Sequence, residues 1–339
     1  MLINFCTLFD SNYLDKGLVL YNSLERCCND FCLYIYCFDD LSFKILNDMK
    51  LMHAKIIHYK DIETEELLNV KNNRSKAEYC WTCTPITIKY SIEKFNLKDC
   101  TYIDSDLYFY SNPKIVFDEI ASKNADAAIT PHRFCKDDYG KKLEERNGKY
   151  CVEFNYFKNN ENGIKILNWW KDKCIEWCYD IPEKDRMGDQ KYLNSFPLLF
   201  DNVTEIDNIG AGVAPWNLKQ YDVLTNDTTD YCLYEISTGK KFQLIFYHFQ
   251  NIRYINDKYV NIKSQTGNKK LKYKIYIPYL REIENVRKDL YIHHGLDLKK
   301  FKIARTSNQF ISFLQRYLAA LKVKRLSDII NLNKLDKYL

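Results

Sequence analysis

The 339-residue sequence is poor in glycine and proline and has no long apolar run. It contains only 10 glycines and 7 prolines, which argues for a well-packed globular chain without long flexible linkers. No window approaches about 18 uninterrupted apolar residues, so no segment is predicted to span a membrane. The glycine patterns of phosphate loops, of dinucleotide-binding turns and of hydrolase nucleophile elbows are absent as well. These absences remove the main support for kinase, dehydrogenase and hydrolase functions.

The 13 cysteines are odd in number and irregularly spaced, and the segment from Met1 onward lacks the basic and apolar regions of a secretory leader. We therefore expect a reduced cytoplasmic compartment. Cys80 and Cys83, together with Cys174 and Cys178, offer an alternative as two halves of a zinc site. Because both pairs lie on predicted helices beside aromatic residues, buried thiols are the favoured interpretation.

Charge is unevenly divided along the chain, whose net charge is +5. From residue 256 onward, 19 Lys and Arg face 7 Asp and Glu, a net charge of +12, whereas the rest carries −7. This division predicts that residues 1–255 carry the chemistry and that residues 256–339 bind an anionic surface. Within the basic region, Phe310–Leu321 places apolar residues at helical spacing, as in helices that lie on anionic membranes. The same apolar stripe could instead pack on the catalytic domain.

Strands and helices are predicted to alternate through the chain. The expected strands are 2–8, 31–38, 54–58, 100–104, 125–130 and 150–158, the expected helices are 13–26, 43–52, 75–95 and 163–178, and segments 231–236 and 242–249 are expected to form a hairpin. This alternation is the pattern of a parallel sheet with crossover helices, whose ligands bind at the carboxyl ends of the strands. Asp10, Asp39 and Asp104 each follow a predicted strand, so we expect several acids to converge at one edge.

The most informative motif is Asp104-Ser105-Asp106, at the end of an apolar strand. Two carboxylates one residue apart can hold a hard divalent cation, which also bridges diphosphate oxygens. Such an ion neutralises charge on a departing diphosphate. The alternative is an ordinary acidic turn after a strand, and the triplet by itself leaves both interpretations open.

Six segments, in this order, resemble the GT-A glycosyltransferases, in particular the family 8-like bacterial sugar transferases of lipopolysaccharide and capsule assembly. They are Thr7–Leu14, Glu78–Pro85, Asp104–Asp106, Gly188–Asn194, Ala214–Asn217 and Tyr247–Phe249. The similarity covers about residues 1–250. It implies an α/β fold with a GT-A, Rossmann-like nucleotide-diphosphosugar transferase domain over residues 1–255, followed by the basic and mainly helical region 256–339.

The resemblance also implies roles for individual residues. Asp104 and Asp106 would bind Mn²⁺ or Mg²⁺, with His248 as the third protein ligand. The remaining donor-binding residues would be Thr7, Asn12 and Tyr13 for the nucleoside, Asp39 for the base or ribose, Arg74 or Lys76 for the diphosphate, and Ser105 within the metal motif. Asp189 would accept hydrogen bonds from the donor sugar, and Gln190 would lie near the anomeric carbon. For Asp189 the alternative is capping of a predicted helix.

The implied reaction moves a sugar from a nucleotide-diphosphate sugar, by default a UDP-sugar, to a surface-glycan or lipid-linked acceptor with retention of configuration. The implied location is the cytoplasm, including the inner face of the cell membrane. Two departures from the family pattern stand out. The pattern continues after the histidine into a glycine and a phosphate-contacting lysine, whereas this chain offers Arg253 as the substitute. The segment Tyr150–Phe154 lacks the family's Asn-x-Gly.

Two other functions remain open. A sugar-nucleotide nucleotidyltransferase can share the fold, although it would ordinarily have a glycine-rich basic loop where this chain has Asp10-Ser11-Asn12. A non-enzymatic basic binding protein would explain the basic region. Since the body is acidic and carries no nucleic-acid-binding motif, no nucleic-acid partner is expected.

Overall fold

The computed structural model describes residues 2–224, 231–297 and 328–338. Up to Glu176 the elements are, in chain order, β1 (Ile3–Phe9), α1 (Leu14–Cys27), β2 (Phe31–Cys37), α2 (Asp40–Met49), β3 (Ala54–His58), α3 (Glu65–Lys71), α4 (Lys76–Phe95), β4 (Asp99–Ile103), β5 (Leu107–Phe109), α5 (Lys114–Ser122), β6 (Ala127–Pro131), α6 (Asp138–Asn147), β7 (Tyr150–Lys158) and α7 (Glu161–Glu176). After Glu176 they are α8 (Phe196–Leu199), β8 (Val203–Glu205), β9 (Tyr221–Val223), β10 (Cys232–Glu235), β11 (Lys241–Gln243), β12 (Phe246–His248), β13 (Arg253–Tyr254), β14 (Tyr259–Asn261), α9 (Lys269–His294) and β15 (Ile329–Asn331).

A seven-stranded sheet forms the centre of the fold, in the order β3-β2-β1-β4-β7-β6-β8. The pairs β1 with β2, β1 with β4, β2 with β3 and β6 with β8 are parallel. The predicted alternation around a mainly parallel central sheet is confirmed, and the exception is β7, which runs antiparallel to both β4 and β6. The connection from β6 to β7 is α6, whose only buried residue is Gly140, so it lacks the apolar face of a crossover helix.

Apolar side chains cover both faces of the sheet. Helix α1 packs on one face through an apolar stripe whose buried residues are Leu14, Leu18, Tyr21 and Leu24. Helices α4 and α7 contribute to a second cluster on the opposite face. Strand β1 serves both clusters, since Phe5 belongs to the first and its neighbour Cys6 to the second.

Local hydrogen bonds set the helix boundaries next to the motifs. Helix α4 begins with a capping box, because the Ser75 hydroxyl accepts from the Glu78 amide and the Glu78 carboxylate accepts from the Ser75 amide. It ends at Asn96, whose φ of 51° is left-handed. Helix α2 begins at a side-chain cap from Asp39. Both helices start beside the carboxyl edge of the sheet, since α2 follows β2 directly and Lys76 of α4 pairs with Asp10, which follows β1.

The described part of the basic region is mainly the 26-residue helix α9, to which a sheet in the order β13-β14-β15 is added. Tyr110 donates to the Ile275 carbonyl at 2.5 Å, and Lys272 and Asp328 form a buried ion pair at 2.6 Å. The predicted boundary after residue 255 falls between β13 and β14, and the division into two domains stays a prediction. The segment Phe310–Leu321 lies outside the described residues.

Within the described ranges, no helix combines the length and the apolar character that crossing a membrane requires. No disulfide joins the cysteines of the same ranges, in agreement with the expected thiols.

Candidate active site

The pairing of β5 with β12 brings the histidine to the acidic triplet. Strand β4 ends at Ile103, and the chain turns through Asp104 to Asp106 before β5. Strand β12 lies antiparallel to β5, with His248 opposite Leu107, and the Phe249 amide donates to the Asp106 carbonyl at 2.9 Å. The prediction of one hairpin arm over 242–249 is therefore wrong. The hairpin arm consists of β11, which pairs with β10, whereas β12 pairs with β5. The sequence pattern did not reveal β5.

Three side chains form a group that can hold a metal ion. The His248 Nε2 lies 3.1 Å from Asp106 Oδ1 and 3.6 Å from Asp104 Oδ2. One ligand atom from each of the three residues lies within 4.8 Å of the other two. Carboxylate oxygens suit hard divalent cations, and an imidazole nitrogen is the commonest other protein ligand. The donor set therefore fits a divalent ion such as Mn²⁺ or Mg²⁺.

A buried glutamate that sequence analysis missed completes this cluster. The Glu153 side chain is fully buried in β7, and its Oε2 lies 2.7 Å from His248 Nδ1. This contact fixes the imidazole so that Nε2 faces the two aspartates, as carboxylates behind metal-binding histidines do. An acid in the middle of the apolar strand Tyr150–Lys158 was the signal that could have revealed it. Cys151, Glu153 and His248 form a second metal-competent group that shares the histidine.

The electrostatics of the cluster are dominated by its acids. Burial alone would lower the pKa of His248, but the charge of Asp106 and its hydrogen bond outweigh burial and raise the pKa well above 6.5. Burial raises the pKa of Asp104 to about 6, against the opposing charge of His248 and with the further repulsion of Asp106. Burial would also raise the pKa of Asp106, yet His248 and Lys16 hold it below its ordinary value. The site thus concentrates negative charge that a divalent cation would neutralise.

Asp189 belongs to the same environment. Burial, followed by the charge of Asp104, raises the pKa of the Asp189 carboxyl to about 7. Its backbone carbonyl accepts from Trp170 Nε1 at 2.8 Å. The expected helix start at Asp189 is wrong, because a 3₁₀ helix begins only at Lys191, and its N-cap Gln190 makes no side-chain capping bond. The capping alternative for Asp189 therefore has no support, and the Gln190 amide contacts Met187 Sδ at 3.8 Å.

The turn after β1 is held by its own carboxylates. Both oxygens of Asp10 accept from Asn12, one from its amide and one from its side chain, each at 2.9 Å. Asp10 also forms an ion pair with Lys76. The Ser11 hydroxyl donates to Asp39 at 2.5 Å. The acids that follow β1 and β2 thus meet at one edge of the sheet.

Lys16, which sequence analysis also missed, connects this turn to the acidic cluster. Its ammonium lies 3.8 Å from the centre of the Tyr13 ring and 3.7 Å from Asp106 Oδ2. Tyr13 remains 40% exposed, as a residue that stacks on a flat ligand would be. Nothing in the local pattern marks Lys16, since it is one of many lysines on helices.

The other predicted site residues differ in their surroundings. Thr7 is fully buried, and its hydroxyl has no hydrogen-bond partner among the described residues. Ser105 is buried within the triplet. Arg74 makes its contacts elsewhere, because it donates to the Ile175 carbonyl at 3.2 Å and lies over the Tyr179 ring. Arg253 is exposed and donates to Asn251 at 3.4 Å.

The zinc alternative finds no support in the described ranges. The two metal-competent groups found there both contain His248, and neither includes Cys80, Cys83, Cys174 or Cys178.

Comparison with known proteins places the chain in a family. The protein YfnF of Bacillus subtilis (strain 168) is 31% identical over 258 residues, which cover 74% of this chain and 82% of YfnF. The chain belongs to the YfnF family. A second relative, YfnD of the same bacterium, is 28% identical over 292 residues, which cover 83% of this chain and 88% of YfnD. Both relatives are described as uncharacterized. No protein-family model matches the chain.

Several solved glycosyltransferases resemble the structure at low identity. The bifunctional enzyme WbbM is 13% identical with a TM-score of 0.49, over 89% of this chain and 52% of WbbM. An active-site mutant of the galactosyltransferase LgtC is 12% identical with a TM-score of 0.46, over 74% of this chain and 88% of LgtC. Mouse xyloside xylosyltransferase 1 is 11% identical with a TM-score of 0.43, over 74% of this chain and 98% of that enzyme. The parallel β3-β2-β1-β4 half with the acidic turn after β4 agrees with the predicted GT-A fold. Since these identities and TM-scores are low, function has to be inferred from the site itself.

Proposed function

We propose that this YfnF-family protein is a metal-dependent glycosyltransferase that uses a nucleotide-diphosphate sugar. The observation that carries the proposal is the group of Asp104, Asp106 and His248 at the carboxyl edge of the sheet, linked through Lys16 to the exposed ring of Tyr13. A metal group beside a surface for a flat base is the arrangement that a nucleoside diphosphate requires. In α/β sheets this edge is the usual place for such ligands.

Each residue of the site has a separate task in the proposed reaction. The two aspartates and His248 hold the divalent ion, and Glu153 keeps the imidazole in the orientation that presents Nε2. When bound, the ion supplies Lewis-acid stabilisation of the diphosphate. Tyr13 stacks on the base. Asp189, buried beside the charge of Asp104, faces the donor sugar and hydrogen-bonds its hydroxyls.

The finer assignments follow from the resemblance in sequence. We infer uridine as the base, Mn²⁺ or Mg²⁺ as the ion, retention of the anomeric configuration, and Gln190 as the residue near the anomeric carbon. The acceptor would be a surface glycan or its lipid-linked precursor. What supports these inferences is the order of the six matching segments, which runs through residues 7–249.

The test is a panel of nucleotide sugars incubated with Mn²⁺, with release of nucleoside diphosphate as the readout. Asp106→Asn should abolish release, because it removes a ligand charge while keeping the shape of the side chain. Asp118→Asn is the matched control, since Asp118 lies exposed on α5 and pairs with Lys114 of the same helix. Full activity in excess chelator would contradict metal dependence. Formation of pyrophosphate from a nucleoside triphosphate and a sugar phosphate would favour a nucleotidyltransferase instead.

We also propose that the basic region attaches the enzyme to anionic membranes. The net charge of +12 from residue 256 onward supports this, since each Lys or Arg near anionic lipid contributes roughly 1 kcal/mol. Vesicle co-sedimentation of the full chain should decrease when Lys322, Lys324 and Arg325 are replaced by glutamine. Equal binding to anionic and neutral vesicles would contradict the proposal.

A further inference from the structure

Several cations near the acidic edge are already engaged by carboxylates other than the metal group. Lys76 pairs with Asp10. Arg287, almost fully buried, donates to Asp15 at 2.7 Å and to Glu284 at 3.0 Å. These ion pairs persist whether or not a metal binds at the triplet, because none of these acids belongs to it. Their positive charges are therefore compensated before any donor arrives.

Lys16 differs from these cations in its partner. Its ammonium contacts Asp106, which is itself a member of the metal group, and it also lies over the Tyr13 ring. The Lys16 side chain is only 17% exposed, so it cannot move far into solvent without losing packing. A divalent ion on Asp106 would neutralise this partner and repel the ammonium. Lys16 would then be available to pair with another anion while remaining beside the metal group.

We propose that Lys16 is the protein cation that binds the diphosphate of the donor. This inference rests on the proposed function. An ion held by two carboxylates is left with little net positive charge, so a diphosphate bound to it still requires a cation nearby. Lys16 stands between the metal group and the Tyr13 ring, where the diphosphate must lie if the base stacks on Tyr13. Lys16 would thus contact the phosphates in place of Arg253, which is the candidate for that role by sequence position.

The replacement Lys16→Gln should lower the affinity for nucleoside diphosphate without lowering the affinity for Mn²⁺. Affinity for nucleoside diphosphate in saturating Mn²⁺ should fall roughly ten- to hundredfold, the usual effect of losing a hydrogen bond to a charged group. Affinity for Mn²⁺ alone should stay equal or increase, because a competing cation has been removed from Asp106. A purely structural role would weaken both. Calorimetry measures the first affinity, and paramagnetic resonance of free Mn²⁺ measures the second.

Two further variants make the test specific. Lys16→Arg keeps the charge and should restore most of the nucleotide affinity. Lys114→Gln removes an exposed lysine of α5 and should change neither affinity. A loss of nucleotide affinity in Arg253→Gln but not in Lys16→Gln would overturn the inference, and so would equal loss of both affinities in Lys16→Gln. If the unmodified protein binds none of UDP, ADP, GDP and CDP with Mn²⁺, the proposed function fails, and this inference falls with it.

Discussion

The substitution Asp189→Asn should separate the stability of the candidate site from its chemistry. Burial and the charge of Asp104 raise the pKa of Asp189 from 3.8 to about 7 in the folded protein. Below pH 3.8 the carboxyl is protonated in both states, so its contribution to stability is fully present. As the pH rises, the unfolded chain releases the proton first, and stability is lost until the pH passes about 7. One pKa unit corresponds to about 1.4 kcal/mol, so the cost has an upper limit of about 4 kcal/mol.

An asparagine has no charge to bury, so the variant avoids this cost. In excess chelator, Asp189→Asn and the unmodified protein should differ little in free energy of unfolding near pH 4. The variant should become the more stable one, by up to about 4 kcal/mol, as the pH approaches 8. Added Mn²⁺ should shrink the difference, because positive charge beside Asp104 lowers the pKa of Asp189. Turnover should be lost at every pH, since the hydrogen-bond acceptor for the sugar is weakened.

Urea denaturation at pH 4, 5, 6, 7 and 8 measures the difference, with nucleotide-sugar hydrolysis measured on the same samples. Asp118→Asn is the control, because that carboxyl is exposed and its substitution should give a small difference across this range. A difference that does not change with pH, or a variant that is less stable at pH 8, would refute the reasoning. Full activity of the variant would remove Asp189 from the donor site.

Two further predictions concern His248 and its support. Glu153→Gln should weaken Mn²⁺ binding roughly ten- to hundredfold, since it removes the carboxylate behind the imidazole. Replacement of the exposed Glu144 by glutamine is the control and should have no effect. Unchanged Mn²⁺ affinity of Glu153→Gln in paramagnetic resonance titrations would contradict the orienting role of Glu153. The acids raise the pKa of His248 well above 6.5, so Mn²⁺ must displace a proton from the imidazole. Calorimetry in buffers of different ionisation enthalpy should therefore show proton release at pH 7. The affinity for Mn²⁺ should also fall as the pH is lowered. Binding without proton release would indicate that His248 is neutral before the metal arrives.

The sequence by itself determined the local elements and the position of the acidic motif. The span Ala54–His58 was predicted at its observed bounds, and the helix expected from Ser75 begins one residue later, at a capping box that is visible as Ser75 and Glu78. Such features depend on neighbours within four residues along the chain. The apolar strand that ends at Asp104 is of the same kind, so the candidate metal motif could be predicted in place.

Tertiary structure decided which distant residues complete the site. A two-residue period states which strand faces are apolar, but it does not state which strand lies alongside, so the antiparallel β7 and the pairing of β5 with β12 stayed hidden. His248 was assigned through resemblance alone. Glu153, 95 residues from His248 along the chain, and Lys16 became visible only when the strands were placed. The pKa of Asp189 likewise depends on burial beside Asp104, and burial is a property of the packed molecule and not of local sequence.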